Sequence, residues 1–303
     1  MAVIYPAPLR DGDVIAVISP ASIIEPDYVT GAVEVLRRHG WTAEVSRHAL
    51  GRHGSYSGSV DERLADLNHA ICDPAVRAIL CSRGGYGAVH LLDRFPQKAF
   101  MSDPKWIIGF SDISALHAMA SSMNVASIHS PMCKHLAADG GNDYCSQSLF
   151  SILRGERPEY TTATHPYNKT GEAEGIVVGG NLAVLDALIS TPYDIFVRSG
   201  SILFIEDIAE PIYKVERMLY RLKLSGIFDR INGLLVGRFT EYNADHNYKD
   251  MYDMIREMTS PLNIPVAFDF PVGHVDFNLP LIESAPARLI VDRDRVNLTY
   301  RPT

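Results

Sequence analysis

The chain has 303 residues, 47% of them hydrophobic and 21% charged, with a formal net charge of −8. Such a composition suits a well-packed globular protein of one large or two ordinary domains. The acidic balance excludes a nucleic-acid surface, which needs cations to replace counterions, and no run approaches the roughly 18 apolar residues of a membrane span.

The opening "MAVIYPAPLRDGD" lacks a basic region followed by an apolar core, so no signal peptide is expected and the reading is cytoplasmic. "DVIAVIS" predicts a buried strand, "YVTGAVEVLRRHG" a helix stopped by Gly40, and "WTAEVS" a short strand. "VDERLADLNHAICD" has helical apolar spacing. "VRAILCS" is a second buried strand, "YGAVHLLDRF" a helix, "KWIIGF" a strand and "DISALHAMASSM" a helix. Strands alternating with helices predict β-α-β crossovers, and so an N-terminal α/β domain with a mainly parallel sheet over residues 1–154. Residues 155–171, polar with Pro158 and Pro166, read as a linker. A second domain, 172–303, starts with "GIVVGG" and the helix "NLAVLDALIS". It goes on through the strand "SILFIED", the helix "YKVERMLYRLKLSG", the strand "INGLLVGRF" and the helix "HNYKDMYDMIREMTS" to a hairpin around Asp292 to Asp294. The expected fold is α/β in two domains, the C-terminal one α/β with a mixed, β-rich sheet.

Cys72, Cys81, Cys133 and Cys145 have no C-x-x-C or zinc spacing and read as reduced thiols, with Cys81 packing as a small hydrophobe. No metal motif appears, and no metal or cofactor is expected.

Ser111 lies where the apolar run Trp106–Ile108 turns into a helix. Ser or Asp there is a good N-cap; a serine on a tight strand-to-helix turn is also how a nucleophile is presented near helix N–H groups. "GFSDI" lacks the second glycine of G-x-S-x-G. An activated serine needs a base and an orienting carboxylate. Downstream of Ser201 only His246, in a polar stretch, and His274, in "FDFPVGHVDFNLPL", are available. Glu206 and Asp207 end the apolar strand "SILFIED". Ser111, Glu206 and His274 then each end a predicted strand, in the order Ser…Glu…His. "CSRGGYGAVH" runs a buried strand into Arg83-Gly84-Gly85-Tyr86-Gly87, a loop suited to an oxyanion but not to a phosphate. "GGNLAVLDAL" is a second glycine loop, with Asn181 as N-cap or ligand contact.

"SRGGYGAVHLL", "IIGFSDISALH", "IHSPM", "GGNLAVLDALISTPY", "LFIEDIAEPIYKVERML", "INGLLVGRFT" and "FPVGHVDFNLPL" together resemble the LD-carboxypeptidases, a serine peptidase group that also contains microcin C self-immunity proteins. The resemblance covers most of the chain in order. It implies a two-domain fold and a Ser-Glu-His triad at Ser111, Glu206 and His274. It also implies a homodimer and a cytoplasmic role in recycling peptidoglycan peptides, by cleavage between a diamino acid and a terminal D-alanine. Backbone amides at Gly84 or Gly85 and at Asp112 would form the oxyanion hole. Arg83, Tyr86, Asn181, Lys134 and Arg238 would meet the muropeptide. Two other readings stay open: an immunity-type amidase acting on peptidyl or aminoacyl nucleotides, and a non-catalytic small-ligand binder.

Overall fold

A computed structural model describes residues 3–301. It divides into two compact units, Met1–Glu156 with Leu279–Ile282, and Arg157–Asn278 with Glu283–Thr303.

The first unit follows the predicted alternation: β1 (Val14–Ile18), α1 (Pro26–Arg38), β2 (Thr42–Val45), α2 (Val60–Cys72), β3 (Val76–Cys81), α3 (Gln97–Ser102), β4 (Trp106–Gly109), α4 (Ser114–Ser122), β5 (Ser127–His129), α5 (Cys133–Ala138) and α6 (Tyr144–Leu153). The strands lie in the order β5-β4-β3-β1-β2, all parallel. The strand Leu281–Glu283 adds to the β5 edge, a return from late in the chain that the sequence reading kept wholly in the second domain. β1, β3 and β4 are almost entirely buried, as expected of strands covered on both faces. α1 opens with Pro26 and Asp27 and closes with Arg37 and Arg38, an order that suits the helix dipole. α2 starts with a capping box: Ser59 Oγ accepts from the Glu62 amide, and the Glu62 carboxylate accepts from the Ser59 amide at 2.8 Å. "YGAVHLLDRF" forms a 3₁₀ turn, Ala88–Arg94, in place of the predicted α-helix. α4 is buried along nearly its whole length, so it is a core helix behind the turn that carries Ser111.

The second unit contains β6 (Glu159–Thr162), β7 (Gly171–Asn181), α7 (Leu182–Ala187), β8 (Ser201–Ile208), α8 (Ile212–Leu224), β9 (Ile231–Thr240), α9 (Met251–Thr259), β10 (Val266–Ala267), β12 (Pro286–Val291) and β13 (Val296–Tyr300), with β11 being the Leu281–Glu283 strand. Its sheet runs β10-β9-β8-β7-β12-β13-β6, parallel from β10 to β7 and antiparallel from β7 to β6. This is the mixed, β-rich sheet that was expected, and the predicted C-terminal hairpin is β12–β13. The stretch read as a linker is corrected in part. Glu159–Thr162 pairs with β13 as an edge strand, and its short polar sequence hid it because an edge strand need bury only one face.

Trp41 and Trp106 pack in the core, and Cys81, Cys133 and Cys145 are buried free thiols. Burial pushes the Cys133 thiol up to about 12 and Cys81 higher still, so both stay inert. Cys72 is exposed. No helix among the described residues is long and apolar enough to cross a membrane.

Candidate active site

Ser111 has φ = 66°, in the left-handed region that non-glycine residues occupy only when their surroundings hold them there. The hold is visible on both sides of the turn. Just before it, the Gly109 carbonyl accepts from the Ser130 amide at 3.0 Å and from His117 Nε2 at 2.8 Å. His117 is completely buried on α4, and its Nδ1 accepts from Ser127 Oγ at 2.9 Å. Burial lowers the imidazole to about 4, so it stays neutral and keeps one fixed tautomer. After the turn, the Asp112 carboxylate accepts from the Ala88 amide at 2.8 Å. Burial raises Asp112 to about 6, against the pull of the Ala88 amide, the Arg63 charge and the Gly87 amide.

The glycine loop after β3 lies directly against this serine. A Cβ at Gly84 would sit 2.7 Å from Ser111 Cβ, 2.9 Å from its Oγ and 3.2 Å from the Asp112 amide nitrogen, so only glycine permits the approach. The loop is tied down by Ser22, whose amide donates to Gly84 O at 3.2 Å and whose Oγ accepts from the Tyr86 amide at 3.2 Å. Ser111, Asp112 and the Gly84–Gly85 backbone are therefore brought together within the first unit.

In the second unit, His274 Nδ1 donates to Glu206 Oε2 at 2.7 Å, and the Glu206 side chain is fully buried. Glu206 stands inside β8 rather than at its end. Between Ile205 and Asp207 the β8–β9 register shifts, an irregularity of the kind that re-aims a side chain. His274 lies in a loop, not at the end of a strand as predicted. Gly273 before it has φ = 122°, and a Cβ there would meet Glu206 Oε2 at 2.8 Å. Burial by itself would lower the His274 pKa. The hydrogen bond to Glu206 and the charges of Glu206, Asp207 and Glu241 outweigh it, so the net direction is upward. Asp207 is raised to about 6, by burial first and by the Glu206 charge second. It accepts from Asn181 Nδ2 at 2.8 Å and from the Ala183 amide at 2.9 Å, and so fixes the start of α7.

The remaining sequence candidates divide. Asn181 is buried; it donates to Asp207 at 2.8 Å and accepts from the Val184 amide at 3.1 Å, which makes it the N-cap of α7, one of the two roles expected of it. Arg238 pairs with Asp269 at 2.9 Å. Arg83 is exposed, with one guanidinium nitrogen donating to Ile23 O at 2.9 Å. Tyr86 is 56% exposed beside the glycine loop, and Lys134 is exposed on α5. Two residues near the site were missed: His117 and Arg63. The signal for Arg63 was a charged residue on the apolar face of "VDERLADL", next to Leu64 and four before Leu67. Among the described residues, no group of three or more His, Cys, Asp or Glu is arranged to hold a metal ion.

An α/β chain with a serine on a strained strand-to-helix turn, a glycine loop against it and a buried carboxylate–imidazole pair has the parts of a hydrolase. Residues 15–130 match the LD-carboxypeptidase N-terminal domain and residues 174–289 the LD-carboxypeptidase C-terminal domain. The murein tetrapeptide carboxypeptidase of Pseudomonas aeruginosa is 30% identical over 86% of this chain and 87% of its own. The microcin C7 self-immunity protein of Escherichia coli is 27% identical over 97% and 94%. The crystal structure of muramoyltetrapeptide carboxypeptidase from Oxalobacter formigenes superposes with a TM-score of 0.86 at 27% identity, covering 96% of this chain and all of that one. The chain belongs to the LD-carboxypeptidase family, a peptidase family that includes microcin C immunity proteins.

Proposed function

We propose that the chain is a serine LD-carboxypeptidase that releases a terminal D-alanine from muropeptide tetrapeptides, acting in the cytoplasm as a homodimer. The observation that carries the reading is the left-handed backbone of Ser111 with Gly84 pressed against its side chain. A cap needs no such strain, whereas a nucleophile held above a strand end does. The relatives named for murein tetrapeptide and muramoyltetrapeptide support the substrate class.

In this mechanism His274 Nε2 takes the proton of Ser111 Oγ as the oxygen attacks the carbonyl before D-alanine. Glu206, bonded to Nδ1, fixes the tautomer and stabilises the imidazolium. The Asp112 amide and an amide of the Gly84–Gly85 pair hold the oxyanion, each donor contributing roughly 3 kcal/mol. The C–N bond then breaks, His274 gives its proton to the departing amine, and water attacks the acyl-serine to free the tripeptide. Arg83 and Tyr86, exposed on the glycine loop, meet the peptide and its carboxylates.

A nucleotide-cleaving amidase would need an aromatic face to grip a base. Trp41, Trp106 and Phe196 are in the core and offer none, whereas Tyr86 is exposed beside the glycine loop, so substrate preference is what separates the two readings. The test is kcat/KM for an L-Ala-γ-D-Glu-diaminopimelate-D-Ala tetrapeptide against an aminoacyl sulfamoyl or peptidyl adenylate, under one set of conditions. The tetrapeptide should be much the better substrate. Preference for the nucleotide conjugate would reverse the substrate assignment and leave the serine mechanism standing.

A further inference from the structure

Arg63 on α2 is 2% exposed and is not used by the mechanism above. Its guanidinium reaches three separate stretches of chain. Nε donates to Gly58 O at 3.1 Å. Nη1 donates to Pro20 O at 2.6 Å and to Gly87 O at 2.7 Å, and Nη2 donates to His90 Nδ1 at 3.2 Å. Because arginine only donates, His90 Nδ1 must accept, so that nitrogen carries no proton in this arrangement.

The bond to Gly87 O singles this residue out. The Gly87 carbonyl and the Ala88 N–H are two ends of one peptide group, and the Ala88 N–H donates to Asp112 at 2.8 Å. One peptide is thus held between a buried cation on its oxygen and a buried carboxylate on its nitrogen. The charges of Arg63 and Asp112 act on each other as well. Asp112 follows Ser111 directly, and Gly87 closes the loop that starts at Arg83. The approach is close: a Cβ on Gly87 would lie 2.9 Å from Nη1. The pinned peptide therefore sets the distance between the glycine loop and the serine turn, the two pieces of backbone that line the reacting carbonyl.

We propose that Arg63 is a positioning residue for the oxyanion hole: through the Gly87–Ala88 peptide and Asp112 it holds the Gly84–Gly85 amides in register with the Ser111 turn. It touches no substrate. The proposal rests on the serine-acyl reading and adds the element that pre-organises its oxyanion donors. A planar guanidinium suits the task, since it can bond several carbonyls in fixed directions where an ammonium is a single point.

The test compares wild type with Arg63→Met, Arg63→Lys and Arg63→Ala. Five quantities are measured: kcat and KM for the tetrapeptide, the rate at which a fluorophosphonate labels Ser111, the Kd of the tripeptide product, and the thermal midpoint. A loss of oxyanion alignment lowers kcat and the labelling rate together, by roughly 100-fold in Arg63→Met. KM and the product Kd stay within about threefold of wild type, because ground-state binding does not use the hole. Arg63→Lys falls between, and it serves alone if the methionine variant does not fold. Guanidinium ion added to Arg63→Ala restores part of the labelling rate. Folded variants with unchanged kcat and labelling would overturn the proposal. So would a joint decline of kcat, product affinity and thermal midpoint with no guanidinium rescue, which is the signature of a merely structural arginine. Normal wild-type labelling without tetrapeptide turnover would reject the substrate while the labelling series still decides the role of Arg63. A wild type that is not labelled would overturn both.

Discussion

His274 sits between two opposing influences. Its burial favours the neutral ring; Glu206 at 2.7 Å favours the cation, and the cation gains more. With the folded pKa above the unfolded value of about 6.5, the stability contributed by this pair is fully present below that value and is lost as pH rises through the folded pKa. The proposed mechanism uses the neutral ring as base, so under it kcat/KM should rise across the same window, with its acidic limb above about pH 6.5. Glu206→Gln removes the charge. It should move that limb to lower pH and reduce kcat by about 10³–10⁴-fold, as expected when the orienting carboxylate of a triad is lost. The pH profile of kcat/KM for both proteins checks this; a limb that does not move would mean that Glu206 does not face the catalytic imidazole. Ser111 and Glu206 were legible in the sequence because each stood beside an apolar run that should have ended. Arg63 and His117 were not singled out. Each lies on a helix that burial made ordinary, and their bonds go to backbone carbonyls far away in sequence or hidden in a turn.

At the level of elements, the parallel strands and their helices were readable from apolar runs and turn residues, since local sequence decides both. The errors came where pairing is non-local. "FDFPVGHVDF" looked like a strand ending in histidine, but β10 stops at Ala267. Asp269 takes φ = 60° and Pro271 has no N–H to give, so the chain follows β9 only through separate bonds, from the Phe270 amide to Val236 and from the Arg238 amide to Val272. That broken edge is what leaves His274 on a loop, where Gly273 lets it meet Glu206. Gly273→Ala places a methyl 2.8 Å from the Glu206 carboxylate on a backbone suited only to glycine. It should destabilise the protein by about 1–3 kcal/mol, seen as a lower thermal midpoint, and lower kcat by displacing the carboxylate. An unchanged midpoint and rate would show that the loop tolerates a side chain and that the close contact is not required.

Across the whole molecule, the two-sheet organisation was foreseeable from the change of character near residue 155. The strand Leu281–Glu283 was not, because three residues that join a sheet from the far end of the chain leave no periodic trace. The family followed from the order of the glycine loop, the serine turn, the acidic strand and the histidine loop, which no single motif would have carried. The account then stands on one atom, Ser111 Oγ. Its most direct test is the release of D-alanine from the tetrapeptide by wild type and by Ser111→Ala at equal concentration, with folding verified by circular dichroism. Wild type should release D-alanine and tripeptide in equal amounts, and the variant should fall by about 10⁴-fold or more, as when a triad nucleophile is removed. A folded alanine variant that releases D-alanine at the wild-type rate would contradict the serine mechanism outright.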